Sequence, residues 1–135
     1  MSGWHIELHD LPTWTANDRG HWSDRADAVK AWRMVTKSAA NRHGVPRLGR
    51  VHVRLTMTPS DRRRRDPDNI AGVLKPVLDG LVDAGVLADD SAEFVASVTL
   101  VVERAEPGRG EHRWVVSLFE VGTNFRQVEG DKGAA

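Results

Sequence analysis

The spacing of apolar residues changes from a strand's period to a helix's within one short stretch, and this constrains the fold more than any other feature. Residues 50 to 59, RVHVRLTMTP, alternate strictly, placing Val51, Val53, Leu55 and Met57 on one face of a half-buried strand. Soon afterwards Ile70, Val73, Leu74, Val77, Leu78, Leu81 and Val82 recur at i, i+3, i+4 and i+7, the stripe of an amphipathic helix. Asp66 reads as the cap of this helix, Pro67 as its first residue and Gly85 as its close. A one-faced strand and a one-striped helix bury their apolar surfaces only against each other, so the fold has two layers.

The flanking segments extend this arrangement. Residues 4 to 9 read as a first strand, with Pro12 beyond it, and TWTANDRGHW (13 to 22) as a loop. Ser23 is the candidate cap of a helix carrying Val29, Trp32, Val35 and Ala39 on one stripe, ended by Gly44 and Pro46. Residues 93 to 103 and 112 to 121 read as strands joined by the turn EPGRGE, which makes them hairpin partners. Trp32 and Trp114 fall on core faces. The order β-α-β-α-β-β predicts one α+β two-layer domain over residues 1 to 121, with a four-stranded mixed sheet and two helices on one of its faces. Residues 122 to 135 read as a polar, flexible tail. A chain of 135 residues is long enough for one such core.

Composition removes several function classes. With no cysteine there is no disulfide framework and no thiolate zinc site, which fits a reducing cytoplasm. No apolar run reaches membrane-span length, and the first residues lack a signal peptide's apolar core. The six histidines show no helical i, i+4 pair. Neither a Walker loop nor G-x-S-x-G occurs.

The net charge is zero, but it is unevenly distributed. Residues 42 to 65 hold eight arginines and one acid, a net of +7; residues 66 to 93 hold seven acids and one lysine, a net of −6. The junction reads DRRRRDPDN (61 to 69). A basic segment abutting an acidic one can grip a polyanion on one side and hold cations on the other. Asp66 and Asp68, followed by Asn69, stand at a helix start, and Asp89 and Asp90 form a second pair beyond the helix. On an unbroken helix Asp68, Lys75 and Asp79 fall within roughly a 40° stripe opposite the apolar face. Such a stripe is also where solvated charges ordinarily lie. Carboxylates one residue apart, joined by an acid from a distant loop, suit a hard oxygen-preferring cation such as Mg²⁺. A calcium loop is excluded, because Ile70 and Ala71 stand where it needs an oxygen ligand and a glycine.

DRRRRDPDN followed by KPVLDGLVDAGVLADD (75 to 90) resembles the RusA family of Holliday-junction resolvases. Its signature is a basic run into D-x-D-N, then a lysine and an aspartate on the following helix, an A-G step and a D-D pair. LPTWTANDRGHW, which contains Asn17, is similar to a Pro- and Asn-containing loop of the family. The resemblance implies a RusA-like fold and a Mg²⁺-dependent endonuclease, with Mn²⁺ as a substitute. It further implies a homodimer that nicks two opposed strands of four-way junction DNA in the cytoplasm of a bacterial or phage-infected cell. By position, Asp66, Asp68 and Asp90 would hold the metal and act with Lys75. Arg62, Arg63, Arg64, Arg65 and Lys75 would contact DNA. Asn69, Asp89 and Asn17 are further candidates.

One spacing departs from the family. The family's lysine follows the D-N pair by three residues, whereas Lys75 follows Asn69 by six. Gly72 and Pro76 flank Lys75, so a helix break is expected between them. On an unbroken helix Asp79 would lie about 16 Å from Asp68, too far to share an ion, and is expected to pair with Lys75 instead. Asp90 reaches the site only if residues 85 to 91 fold back along the helix or the partner subunit contributes; fold-back within one subunit is the expectation. Trp14 and Trp22 flank a polar loop and are candidates for stacking on bases, core edge or dimer contact. Two other readings stay open: a catalytically silent junction-binding protein of the same fold, and a metal-dependent enzyme acting on nucleotides.

Overall fold

The computed structural model describes residues 3 to 12 and 22 to 121. Asn17, Trp14 and the tail from residue 122 lie outside the described residues. The elements are β1 (Trp4–Leu8), α1 (Trp22–Arg42), β2 (Val51–Thr58), a 3₁₀ segment (Pro67–Val73), α2 (Leu74–Asp83), β3 (Val95–Val102) and β4 (Arg113–Glu120). The fold is α+β with a four-stranded mixed sheet and two helices. One face of the sheet supplies Ile6, Leu8, Val51, Val53, Leu55, Met57, Trp114, Val116 and Leu118 to the same buried cluster as Trp32, Val73, Val77 and Leu81 of the helical layer. The alternation that defines β2 is thus the alternation that buries it. Trp32 and Trp114 meet edge to face across the two layers, with ring centroids 4.7 Å apart.

The sheet order is β1-β4-β2-β3, which corrects one expectation. β3 and β4 are not hairpin partners, because β2 lies between them, parallel to β3 and antiparallel to β4. After β3 the chain crosses the end of β2, held by Glu103 N–H to Met57 C=O at 2.9 Å and Glu106 N–H to Pro59 C=O at 2.8 Å. A turn sequence such as EPGRGE reverses the chain without fixing which strand receives it.

Two glycines end the helices in the same way. Gly44 (φ +66°) and Gly85 (φ +80°) occupy the left-handed position after α1 and α2. Val45 N–H then bonds Ala40 C=O and Val86 N–H bonds Leu81 C=O, the six-to-one closure that satisfies a helix's last carbonyls. α1 starts at Trp22, one residue before the expected cap Ser23.

The single helix expected from Asp66 to Gly85 is two segments, and the change comes at Val73 and Leu74, within the anticipated stretch. Pro67, Ile70 and Val73 are spaced by three, matching the 3₁₀ repeat, and Ile70 and Val73 are buried. Val73, Val77 and Leu81 are spaced by four, so the α stripe takes over where the triplet spacing ends. Pro76 does not break α2 from within; it is the helix's third residue, where its missing N–H has no intrahelical acceptor to lose.

Candidate functional site

The basic run occupies the link between β2 and the 3₁₀ segment. Asp66 has the extended backbone of a cap (φ −105°, ψ 152°), and its C=O accepts Asn69 N–H at 2.9 Å. Its carboxylate makes no capping hydrogen bond, contrary to the usual role of a cap aspartate. That carboxylate is exposed, with Arg64 Nε 3.8 Å away. Asp68 is exposed in the first turn of the 3₁₀ segment, and Asn69 is half-buried beside it.

The change of helix type removes Asp68 from the expected acidic stripe. A 3₁₀ path turns about 120° per residue against about 100° in an α-helix, so five steps from Asp68 to Val73 rotate it by about 100° relative to Lys75 and Asp79.

Lys75 and Asp79 remain together on α2. Lys75 Nζ lies 3.0 Å from Asp79 Oδ1, and it also makes a close ion pair with Asp90 Oδ2. Asp90 therefore reaches this face within one chain, by fold-back. The cause is the Gly85 reversal followed by Val86 and Leu87, both fully buried, which draws residues 86 to 90 back beside the helix. The Lys75 ammonium holds the Asp90 carboxyl below its usual range, and Asp90 and Asp79 together raise Lys75. Asp89 is exposed next to the pair.

α1 contributes a cation that the sequence reading missed. Arg33 grips Asp83 through Nε at 2.5 Å and Nη2 at 2.9 Å, and its Nη1 lies 4.0 Å from Asp79. Asp83 is lowered by this guanidinium. Nothing local in the sequence reveals the contact, because Arg33 and Asp83 are fifty residues apart.

The four arginines are not equivalent. Arg64 has 90% of its side chain exposed and Arg65 only 16%. Asp61 accepts Arg65 Nη1 at 2.6 Å and Nη2 at 3.1 Å, and the Arg63 backbone N–H at 3.0 Å. Arg62 and Arg63 are exposed, and among the described residues their guanidinium groups meet no acceptor. His112 of the segment leading into β4 stands behind Arg65, with Nε2 3.3 Å from Arg65 Nη2. Burial and then the Arg65 charge push His112 below the usual histidine range. Asp61 and His112 also border a cavity of about 270 Å³ whose other walls include His9, Asp10 and Glu111.

In kind, the donors fit a hard divalent cation: Asp66, Asp68 and Asp90 are carboxylates, and two of them are exposed beside free arginines. Among the described residues no three His, Asp or Glu side chains are gathered on one point, and Asp90 is engaged by Lys75.

No family model matches the chain. It is similar to an uncharacterized protein of Xylella fastidiosa (strain Temecula1 / ATCC 700964), with 35% identity over 85 residues, 59% of this chain. The chain spans about half the length of that relative, 54%.

Proposed function

We propose that this protein is a Mg²⁺-dependent, structure-selective DNA endonuclease that resolves four-way junctions, acting as a RusA-like homodimer. The observation that carries the reading is the adjacency of exposed arginines, Arg62 to Arg64, with the exposed carboxylates of Asp66 and Asp68 at one chain turn. Cations there would hold the phosphodiester backbone, and the acids that follow would place a metal against it. The resemblance of residues 61 to 90 to the RusA signature supports the same assignment.

Asp66, Asp68 and Asp90 are the residues that would hold Mg²⁺, with Mn²⁺ as a substitute; they do not converge in this structure, where Asp90 is paired with Lys75, and the ion would have to draw them together. Bound there, the ion would act as a Lewis acid on the phosphate and lower the pKa of the attacking water. Arg62, Arg63 and Arg64 bind and orient the phosphodiester and offset charge in the transition state. Lys75 balances the charge of Asp79 and Asp90 and keeps Asp90 on the acidic face of α2. A two-fold dimer suits paired cleavage, since two like strands require two like sites.

The test is incubation of a synthetic four-way junction with the protein and Mg²⁺. Paired nicks in opposed strands are expected, and Asp68→Asn should abolish them while leaving junction binding intact. Binding without nicking would instead support a catalytically silent junction-binding protein. Equal nicking by Asp68→Asn would remove the assigned site.

A further inference from the structure

Three of the four consecutive arginines face solvent and one does not, and the residue responsible is the aspartate before them. Asp61 accepts the Arg63 backbone N–H two residues on, which closes an Asx-type turn. The Arg65 guanidinium then bonds both oxygens of the same carboxylate, a planar bidentate pairing that lysine cannot copy. A second Arg65 contact, Nη1 to Arg63 C=O at 3.4 Å, lies across the same turn.

His112, the residue before β4, backs the arrangement. Its Nδ1 accepts the Ser60 backbone N–H at 2.9 Å, and a backbone hydrogen has a fixed direction. Nδ1 therefore carries a lone pair, and the proton of the neutral ring sits on Nε2, facing Arg65. The Nε2 to Nη2 approach of 3.3 Å is accordingly a packing contact of a neutral ring against a guanidinium, not a hydrogen bond.

We propose that Arg65 is a strut rather than a phosphate contact, and that Asp61, Arg65 and His112 form a positioning device for the site. The device fixes the path of residues 61 to 66, turns Arg62, Arg63 and Arg64 outward, and sets where Asp66 begins the 3₁₀ segment. Its role toward nucleic acid rests on the function proposed above; its role as a strut does not. Asp61, Arg65 and His112 are positioning residues, with no part in touching the reacting atoms.

The experiment compares Arg65→Gln, Arg65→Lys, Asp61→Asn and Arg64→Gln, together with the Asp61→Asn/Arg65→Gln double variant, by two readouts. In thermal unfolding, Arg65→Gln, Arg65→Lys and Asp61→Asn should each lower Tm by roughly a few degrees. The double variant should be no worse than the poorer single one, because each change breaks the same contact. Arg64→Gln should leave Tm unchanged. In the salt dependence of binding to a labelled four-way junction, Arg64→Gln should reduce the slope of log K against log salt by about 0.9. Arg65→Gln should leave that slope unchanged.

Additive losses of Tm, or full rescue by Arg65→Lys, would overturn the strut. So would a slope for Arg65→Gln reduced as far as that for Arg64→Gln. If the unaltered protein shows no salt-dependent junction binding, the DNA reading fails, and the unfolding comparison still decides the strut.

Discussion

Lys75 sits between two carboxylates that the fold brings to one face of α2. Asp79 is on the same helix, one turn on, and Asp90 returns from beyond its end. Removing the ammonium by Lys75→Ala leaves Asp90 beside a second carboxylate with no cation between them, which disfavours its ionisation. The Asp90 carboxyl, now lowered by Lys75, should move upward, and carboxyl-carbon NMR titration of the variant against the parent would measure it. An unmoved Asp90 would show that Lys75 does not set its charge state. Lys75 is 68% exposed, so the change in stability should be small. The Lys75–Asp79 pair is legible in the sequence because an i, i+4 spacing carries its own geometry. The Lys75–Asp90 pair was not legible: the sequence offered fold-back or a partner subunit as routes for Asp90 to the candidate metal site, and paired Lys75 with Asp79 alone. The Asp61–Arg65 clamp has the same i, i+4 spacing but lies in a loop, so no periodic rule exposed it, and the four arginines read as one patch.

At the scale of elements, α1 and α2 meet where Gly80 faces Arg33 and Thr36. A Cβ built on Gly80 would lie 2.6 Å from the Arg33 carbonyl oxygen and 2.7 Å from Thr36 Cβ. Backbone on one side and a fully buried threonine on the other leave no flexible end to yield. Gly80→Ala should therefore destabilise by about 1–3 kcal/mol through overpacking, despite alanine's better helix propensity. A lower urea midpoint at unchanged m-value would check it, and a stabilised variant would refute the close approach. The effect should extend to the site, because the same helix pair sets Arg33 against Asp79 and Asp83. The 3₁₀ start of this helical run was only partly legible. Gly72 and Pro76 marked a break, but the triplet spacing of Pro67, Ile70 and Val73 is also compatible with an α stripe. Only packing against the sheet decides between them.

For the whole molecule, the shifted groups act together on acid stability. His112, Asp61, Asp83 and Asp90 all have folded pKa values below their ordinary ones. Each therefore contributes stability that is complete above its unfolded pKa and lost as pH falls through the folded one. The first loss should begin below about pH 6.5, when the unfolded chain protonates His112 before the folded chain does, and the second below about pH 3.9 with the aspartates. His112 faces Arg65 and Asp61 on one side and the cavity with His9, Asp10 and Glu111 on the other. Urea midpoints measured from pH 8 to pH 4 should show the first step, and His112→Asn should reduce it. A midpoint that stays flat to pH 5 would contradict the assignment. Lys75, raised by its two acids, acts oppositely: its contribution holds below about pH 10.4 and is lost only above it.

The layer architecture was legible because alternation and helical period are local signals. The sheet order was not, since the pairing of β4 with β1 and β2 is decided by which apolar faces meet across the core. That order has a consequence for assembly in time. Among the described residues β1 pairs only with β4, Trp4 opposite Leu118 and Leu8 opposite Trp114, and β4 is the last of these strands to leave the ribosome. Until it arrives, β1 has no backbone partner and β2 has one bare edge, so the nascent chain can assemble β2, α2 and β3 but cannot seal the sheet. Closure then brings together the most distant segments of the sheet in one step, which favours slow, cooperative folding once β4 is present over growth strand by strand.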